Sequence, residues 1–154
     1  MKRSTIFLQA AVILTGTVAL FFMLYEPLIE GRNAHSTFFE IYFNDPFLAF
    51  AYTASIPFFI ALYNAVKVLG SVRQNKTYTQ PAVKALRTIK YCGLSLIGFA
   101  LAGEIIIMLN NSDDRAGGVF MGFLAALLAI ALAAAGFSFE RKVQKRIDEK
   151  SGKN

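Results

Sequence analysis

The chain has 154 residues, of which 55% are hydrophobic and 17% are charged, and its mean hydropathy is +0.47. A soluble domain usually carries about 25% charged residues, so this composition argues against a soluble globular protein. The formal net charge of +6 is concentrated in clusters beside apolar stretches. Such clusters set membrane topology and contact anionic lipid headgroups, and they are a better explanation of the charge than binding to nucleic acid.

Four stretches reach membrane-spanning length: Thr5–Tyr25, Pro46–Leu69, Thr88–Leu109 and Ala116–Phe139. A bilayer core of about 30 Å needs about 20 apolar residues in a helix. Lipid satisfies no backbone hydrogen bonds, and these stretches lack the alternation of barrel strands. We therefore predict an all-α membrane protein, with four transmembrane helices in one antiparallel bundle that forms a single domain. The first stretch is too long for a signal peptide and lacks a cleavage site, so we expect it to be retained.

The outer loop Glu26–Asp45 contains the aromatic sequence STFFEIYFNDPF. Aromatic side chains favour the headgroup zone of a membrane, so we predict a short segment that lies at the outer surface. An outward-facing binding patch is the alternative. His35 lies in this loop with Glu30 and Glu40, which is weak support for a metal site, and we expect neither a metal nor a cofactor.

Pro57 lies near the middle of the second span and leaves the carbonyl of Thr53 without its helical partner, so we predict a kink there. In the connection Gly70–Arg87, the sequence QNK predicts a turn. Pro81 suits the first turn of a helix that continues into the third span. One face of this helix is apolar, with Ala82, Ala85, Leu86 and Ile89, and the connection carries a cytoplasmic basic cluster of Arg73, Lys76, Lys84, Arg87 and Lys90.

The segments IPFFIALYNAVKVL and NKTYTQPAVKALRTIKYC, which lie between Ile56 and Cys92, resemble the bacterial membrane proteins of domain of unknown function 2975 (DUF2975). The resemblance covers nearly the whole chain and is weaker in the outer loop and the tail. It implies a four-span bacterial membrane protein, and it brings no reaction, substrate or catalytic residue. Relatives are often encoded beside a small helix-turn-helix regulator, which the resemblance suggests as a partner.

Glu104 lies among apolar residues in the third span, within GFALAGEIIIMLN. A carboxylate facing lipid is costly, so we expect it to point into the bundle. Its depth matches that of Tyr52, Thr53 and the carbonyl freed by Pro57, with which it would form a candidate intramembrane polar site. Glu104 is then either a structural link between the second and third spans or a proton or cation site. If it is ionised, Arg32 or Arg115 could reach it.

Small residues recur at helical spacing in the last two spans. They let helix backbones approach closely, and we predict that they pack within the monomer, with a homodimer interface as the alternative. Cys92, the single cysteine, is expected to be a packing residue. The predicted packing positions are Gly98, Ala102, Gly118, Gly122 and Ala126, with a neighbouring stripe of Ala125, Ala129 and Ala133.

The basic residues divide unevenly between the two sides of the membrane. Of the sixteen, all except Arg32 and Arg115 fall at the N-terminus, around the second connection or in the tail Glu140–Asn154. The positive-inside rule therefore predicts a multi-pass protein of the bacterial plasma membrane with both termini in the cytoplasm. We expect the tail to be a solvated extension of the fourth helix; a partner-binding segment is the alternative.

Two functions fit these features. The sequence has no nucleophile–histidine set, phosphate-binding loop or metal cluster, which favours a non-enzymatic protein that acts through protein or lipid interaction in regulation or sensing. The alternative is a small oligomeric transporter or ion-coupled exporter that uses Glu104, because membrane carboxylates often couple protons.

Overall fold

The computed structural model describes residues 2–29, 35–109 and 115–152. These residues form five helices and no strand: α1 (Lys2–Ile29), α2 (Phe38–Phe43), α3 (Pro46–Arg73), α4 (Gln80–Leu109) and α5 (Arg115–Lys150). All except α2 are long and apolar enough to cross a membrane. The predicted all-helical, four-span fold is therefore confirmed. Each long helix is longer than the span predicted from the sequence.

The four long helices pack in chain order. Among the described residues, α1 packs on α3, α3 on α4 and α4 on α5, while the short α2 contacts α1 and α3. Successive long helices are antiparallel: Gln9 of α1 donates to the carbonyl of Val66 (3.1 Å), and Tyr52 of α3 donates to the carbonyl of Met23 (2.7 Å). The helices thus form a row in which α3 and α4 are the inner members.

Local signals explain where the helices begin and end. Asp45 caps α3, because its carboxylate accepts hydrogen bonds from the backbone N–H of Phe47 at 2.9 Å and of Leu48 at 3.4 Å. The predicted QNK turn follows α3, and Asn75 adopts a positive φ of 58°, which asparagine tolerates better than most residues. Then α4 runs unbroken from Gln80 into the third span, as predicted.

The row has two unlike ends. We call the end with the start of α1, the α3–α4 connection and the last turns of α5 the basic end, and the other the opposite end. The buried hydrophobic cluster, made by α4 and α5 with support from α3, lies at the basic end; it contains Val83, Leu86, Ile89 and Val143, with Ala65, Val68, Leu132 and Ile147 packed against it. The best-packed part of the molecule is therefore near the predicted cytoplasmic surface.

The outer members of the row expose large apolar side chains along most of their length. Phe7 of α1 is 75% exposed and Leu128 of α5 is 72% exposed. Lipid covers such surfaces in a membrane protein. Ala82, Ala85, Leu86 and Ile89 are buried, so the predicted apolar face of α4 is confirmed.

Candidate functional site

Small residues bring α4 and α5 into backbone contact. A Cβ atom at Gly136 would lie 2.7 Å from the backbone nitrogen of Lys90 and 2.9 Å from its Cα. A Cβ atom at Gly93 would lie 2.6 Å from the backbone nitrogen of Ala133. Because only glycine fits at both positions, the two helices meet there without intervening side chains.

One face of α5 follows this contact along most of its length, with residues spaced by three or four. The face includes buried residues towards the basic end and partly buried ones towards the opposite end: Gly118, Gly122, Ala126, Ala129, Ala133, Gly136, Glu140 and Val143. Two carboxylates lie in this interface, one contributed by each helix. They are Glu140 of α5 and Glu104 of α4.

Glu140 is paired with two cations of α4. Its Oε1 accepts from Nε of Arg87 at 2.7 Å, and its Oε2 accepts from Nζ of Lys90 at 2.6 Å. The side chain of Glu140 is 10% exposed, that of Lys90 is 19% exposed and that of Arg87 is 53% exposed. Hydrogen bonds between ionised groups of this length are stronger than neutral ones. The carboxylate therefore fastens α5 to α4 where the helices reach the basic end.

The sequence spacing explains why both cations reach one carboxylate. Arg87 and Lys90 are three residues apart and so lie on the same face of α4. Gly136, one turn before Glu140, lets the backbone of α5 approach Lys90. The ammonium of Lys90 also lies 5.0 Å from the ring centroid of Tyr91 and 5.9 Å from that of Phe137, a cation–π arrangement.

Glu104 has the opposite environment. Its carboxylate lies directly against the backbone of Gly122, so close that a Cβ atom at that position would overlap the carboxylate and lie 2.8 Å from Cδ. Both of its carboxylate oxygens are buried, and neither has a hydrogen-bond partner among the described residues. A buried polar group without a partner is rare and costly.

The hydrogen bonds predicted between Glu104 and the second span are not formed. The hydroxyl of Tyr52 donates to the carbonyl of Met23 at 2.7 Å, and that of Thr53 donates to the carbonyl of Ala49 at 2.9 Å. Pro57 lies inside α3, which continues through it. The prediction matched depth alone: Glu104 lies on the face of α4 that meets α5, so it does not link α3 to α4.

Some of the predicted packing residues face another helix, and others are exposed. Gly118 contacts Ile107, with its Cβ position 3.2 Å from Cγ2, so Gly118 and Gly122 both face α4 within the monomer. Ala102 and Ala126 are partly buried. Gly98 was wrongly assigned, because it is exposed and nothing lies within 4 Å of its Cβ position. Of the neighbouring stripe, Ala129 and Ala133 are buried whereas Ala125 is exposed.

The predicted basic cluster does not act as one surface. Arg87 and Lys90 turn towards α5 and bind Glu140. Lys84 lies on the other side of α4, in a groove shared with Lys67 of α3. Arg73 lies in the last turn of α3, and Lys76 follows in the turn. The cluster therefore contributes to separate surfaces of the basic end.

The loop segment holds a short helix, α2. Its N-cap Thr37 and Glu40 form a capping box: the backbone N–H of Thr37 donates to Glu40 Oε2 at 2.8 Å, and the backbone N–H of Glu40 donates to Thr37 Oγ1 at 3.4 Å. The Thr37 hydroxyl also donates to Glu40 Oε2 at 2.9 Å. These bonds hold the pKa of Glu40 below its ordinary value. Ile41 is buried, whereas Phe38, Phe39 and Phe43 are more than 70% exposed, so α2 turns aromatic rings outward.

The suggested metal site at His35 involves Glu30, which lies outside the described residues. The other carboxylate, Glu40, is already bonded to Thr37. Within residues 2–29, 35–109 and 115–152, no three His, Cys, Asp or Glu residues come together as metal ligands would. Cys92 is buried and free.

Sequence reasoning missed Glu140, Gly93 and Gly136. One signal could have found them: Glu140 is an acidic residue at the boundary of the fourth span, directly before the basic residues Arg141 and Lys142. It follows Gly136 by four residues, and so falls on the same helix face. An isolated carboxylate beside a small residue, opposite two cations spaced by three, predicts an ion pair across a close helix contact.

Comparison with known proteins identifies the family to which the chain belongs. It is 28% identical over 152 residues to the uncharacterized membrane protein YoaS of Bacillus subtilis (strain 168), an alignment that covers 97% of this chain and 95% of that protein. No solved structure matches. A family model described as protein of unknown function (DUF2975) matches residues 5–145, a range that includes both carboxylates of the α4–α5 interface. The chain therefore belongs to the DUF2975 family.

Proposed function

We propose that the chain is a multi-pass protein of the bacterial plasma membrane that acts without catalysis, by binding a partner protein at its basic end in membrane-linked regulation or sensing. Both termini then lie in the cytoplasm. The distribution of basic residues supports this orientation, since fourteen of the sixteen fall at the N-terminus, around the second connection or in the tail of the sequence. The bacterial relative is likewise described as a membrane protein.

The observation that carries the proposal is the length of α5, whose last turns extend beyond the membrane in the proposed topology. This helix has 36 residues, or about 54 Å at 1.5 Å per residue, against a bilayer core of about 30 Å. The extension is fixed to α4, because Val143 is buried and Glu140 is paired with Arg87 and Lys90. A rigid helix that projects into the cytoplasm is preorganised for binding, because it loses little conformational entropy when a partner binds.

The exposed face of this extension is strongly basic. Arg141, Lys142, Lys145 and Arg146 are all exposed. A partner with an acidic surface would complement them. The small helix-turn-helix regulator suggested by the family resemblance is the first partner to test, through an acidic part of its surface and not through its DNA-binding helix.

Site-specific crosslinking tests the proposal. A photoreactive amino acid in place of Lys145 should give a defined adduct with the partner in cells that also express the regulator. The matched position is Leu128, which is also exposed but lies within the predicted membrane-spanning part of α5. Reversing the charge of Lys142 and Arg146 should remove the adduct. Equal adducts from both positions, or none from position 145, would count against a binding surface here.

The orientation has its own test. In a Cys92→Ser background, a cysteine at Ser36 should react with an impermeant thiol reagent on intact cells, whereas one at Gln74 should react only after the membrane is opened. Ser36 precedes α2, and Gln74 follows α3 at the basic end. Labelling of intact cells at Gln74 alone would reverse the orientation.

A small oligomeric transporter is the second candidate, and the buried Glu104 carboxylate favours it, since membrane carboxylates serve as proton relays. Efflux assays in a deletion strain separate the two candidates. A transporter complements export, and Glu104→Gln abolishes that activity while the protein stays folded. An interaction protein gives no export phenotype.

A further inference from the structure

The geometry points to Glu104 as a proton-binding site in the α4–α5 interface, which exchanges its proton with the aqueous phase at the opposite end. This inference does not depend on the partner proposed above. It begins from one fact: both carboxylate oxygens are buried between two helices, and neither is hydrogen-bonded to any described residue. The chain therefore holds a titratable group in an apolar contact, where its charge state has structural consequences.

The ionised form of Glu104 is unfavourable in this apolar part of the α4–α5 interface. An unpaired carboxylate in a dry interior costs many times more than a neutral acid, and such groups are neutralised in practice by taking up a proton. The stretch from Phe99 to Leu109 contains no other ionisable residue besides Glu104. Glu140, the other carboxylate of this interface, is paired with Arg87 and Lys90 about fourteen residues away, or roughly 21 Å at 1.5 Å per residue.

Among the described residues, no neighbouring element supplies a cation at hydrogen-bonding distance from Glu104. From α5, the residue against the carboxylate is Gly122, and Gly118 lies one turn away. Arg115 starts α5 seven residues before Gly122, or about 10 Å along the axis, and does not hydrogen-bond to Glu104. From α3, Phe50 packs against α4 at Gly103 and Phe99, and the hydroxyl of Tyr52 is bonded to Met23.

The same surroundings decide which ligand the site takes. A metal cation such as Ca²⁺ needs about six to eight oxygen ligands, and Mg²⁺ needs about six. Among the described residues, Glu104 contacts the backbone of Gly122, and the side chains near it are the apolar Ile107, Phe50 and Phe99. A proton needs no such shell, because it converts the carboxylate into a neutral acid that fits the apolar contact.

Proton occupancy then controls how closely α4 and α5 meet. The neutral acid fills the space beside Gly122, where even a Cβ atom would overlap it. The ionised carboxylate has to gain water or a cationic partner, and the interface has to open to admit it. The opening is confined to the part beyond Gly93 and Gly136, because backbone contact and the Glu140 ion pairs hold the helices together at the basic end.

Infrared spectroscopy of the full chain in lipid vesicles tests the inference. A protonated carboxylic acid has a carbonyl stretch above the amide I band, and an ionised carboxylate lacks it. At neutral pH we expect this band in the native protein and in Glu140→Gln, and its loss in Glu104→Gln. Transfer into deuterium oxide should shift the band, because the proton exchanges.

Three results would overturn the inference. The native protein could lack the band at neutral pH, which would mean that Glu104 is ionised. The band could persist in Glu104→Gln, which would assign it to another carboxyl group. It could also fail to shift in deuterium oxide, which would make Glu104 a sealed structural acid. The native spectrum and its deuterium shift are informative even if the variant folds poorly.

Discussion

The two carboxylates of the α4–α5 interface show what a membrane protein does with a buried acid at two depths. Glu140 lies at the basic end, where two cations of α4 meet both of its oxygens. Glu104 lies in the other half of the same interface, where both oxygens are buried without a partner. The helices, the small-residue spacing and the antiparallel geometry are shared, so the difference is in the side chains that α4 and α5 place beside each acid.

The comparison separates two uses of close helix packing. At Gly136 the absence of a side chain lets backbone meet backbone, and the ion pairs then form one turn away. At Gly122 the absence of a side chain makes room for a carboxyl group. The first arrangement fastens the helix pair. The second leaves it dependent on the state of one titratable group.

The largest effect is expected from Gly136→Leu. The new side chain would meet the backbone of Lys90, which cannot rotate away, so α4 and α5 must separate. Overpacking of this kind costs about 3 kcal/mol. Thermal unfolding in mild detergent measures it, with Ala135→Leu as the matched control because Ala135 is exposed. Equal stability of the two variants would show that the helices are not in backbone contact here.

Glu140→Gln should be the next most destabilising change. It removes the charge that pairs with Lys90, which is mostly buried, and with Arg87, which is half exposed. Breaking a fully buried pair costs about 3–5 kcal/mol, and exposure of Arg87 reduces this to about 2 kcal/mol. Denaturant titration in detergent should show the loss, and Glu149→Gln, on the exposed side of the same helix, should show little.

A double-mutant cycle sharpens this prediction. If Glu140 acts through the cation of Lys90, the pair Glu140→Leu and Lys90→Met should cost less together than the sum of the two single changes. Additive costs would mean that the 2.6 Å contact contributes no coupling.

Gly122→Leu should have an intermediate effect of about 1–2 kcal/mol. The new side chain displaces the end of the Glu104 side chain, which is more mobile than backbone. Thermal unfolding should show the loss, and Ala125→Leu, on the exposed side of α5, should be nearly silent. Adding Glu104→Ala should restore part of the lost stability, and no restoration would mean that Gly122 and Glu104 are not in contact.

The smallest expected effect is an increase in stability, whereas the changes above lower it. Gly98→Ala should stabilise the protein by about 0.5–1 kcal/mol, because alanine favours a helix interior over glycine and nothing lies within 4 Å of the new methyl group. Gly93→Ala, five residues earlier in the same helix, should destabilise it, since its methyl group would meet the backbone of Ala133. Unfolding midpoints that move in the same direction would contradict this distinction.

Hydropathy and length were sufficient to predict the four long helices, because the bilayer permits few other solutions for such stretches. The turn at Gln74–Lys76 and the start of α4 before Pro81 also followed from local residue preferences. The apolar face of α4 followed from helical periodicity. These features depend on neighbouring residues in the chain, which a single sequence contains.

The partners of Glu104 and Glu140 could not be predicted in the same way. Depth in the membrane is one coordinate, and the rotation of each helix about its axis is another that hydropathy does not give. Glu104 and Tyr52 therefore appeared to be neighbours although they face different helices. Gly98 was misassigned for the same reason, since small residues occur on both faces of α4.

The order of packing has a consequence for how the chain is made. Most contacts of α5 are with α4, which precedes it by a connection of five residues, from Asn110 to Asp114. These two helices can therefore enter the membrane as one hairpin and join at once. In contrast, α1 packs on α3, so after it leaves the ribosome and the translocon it must remain among lipids until the loop and a second long helix have been synthesised. The surface of α1 suits that interval, because the helix has no charged side chain between Thr5 and Tyr25 that would be costly to expose to lipid.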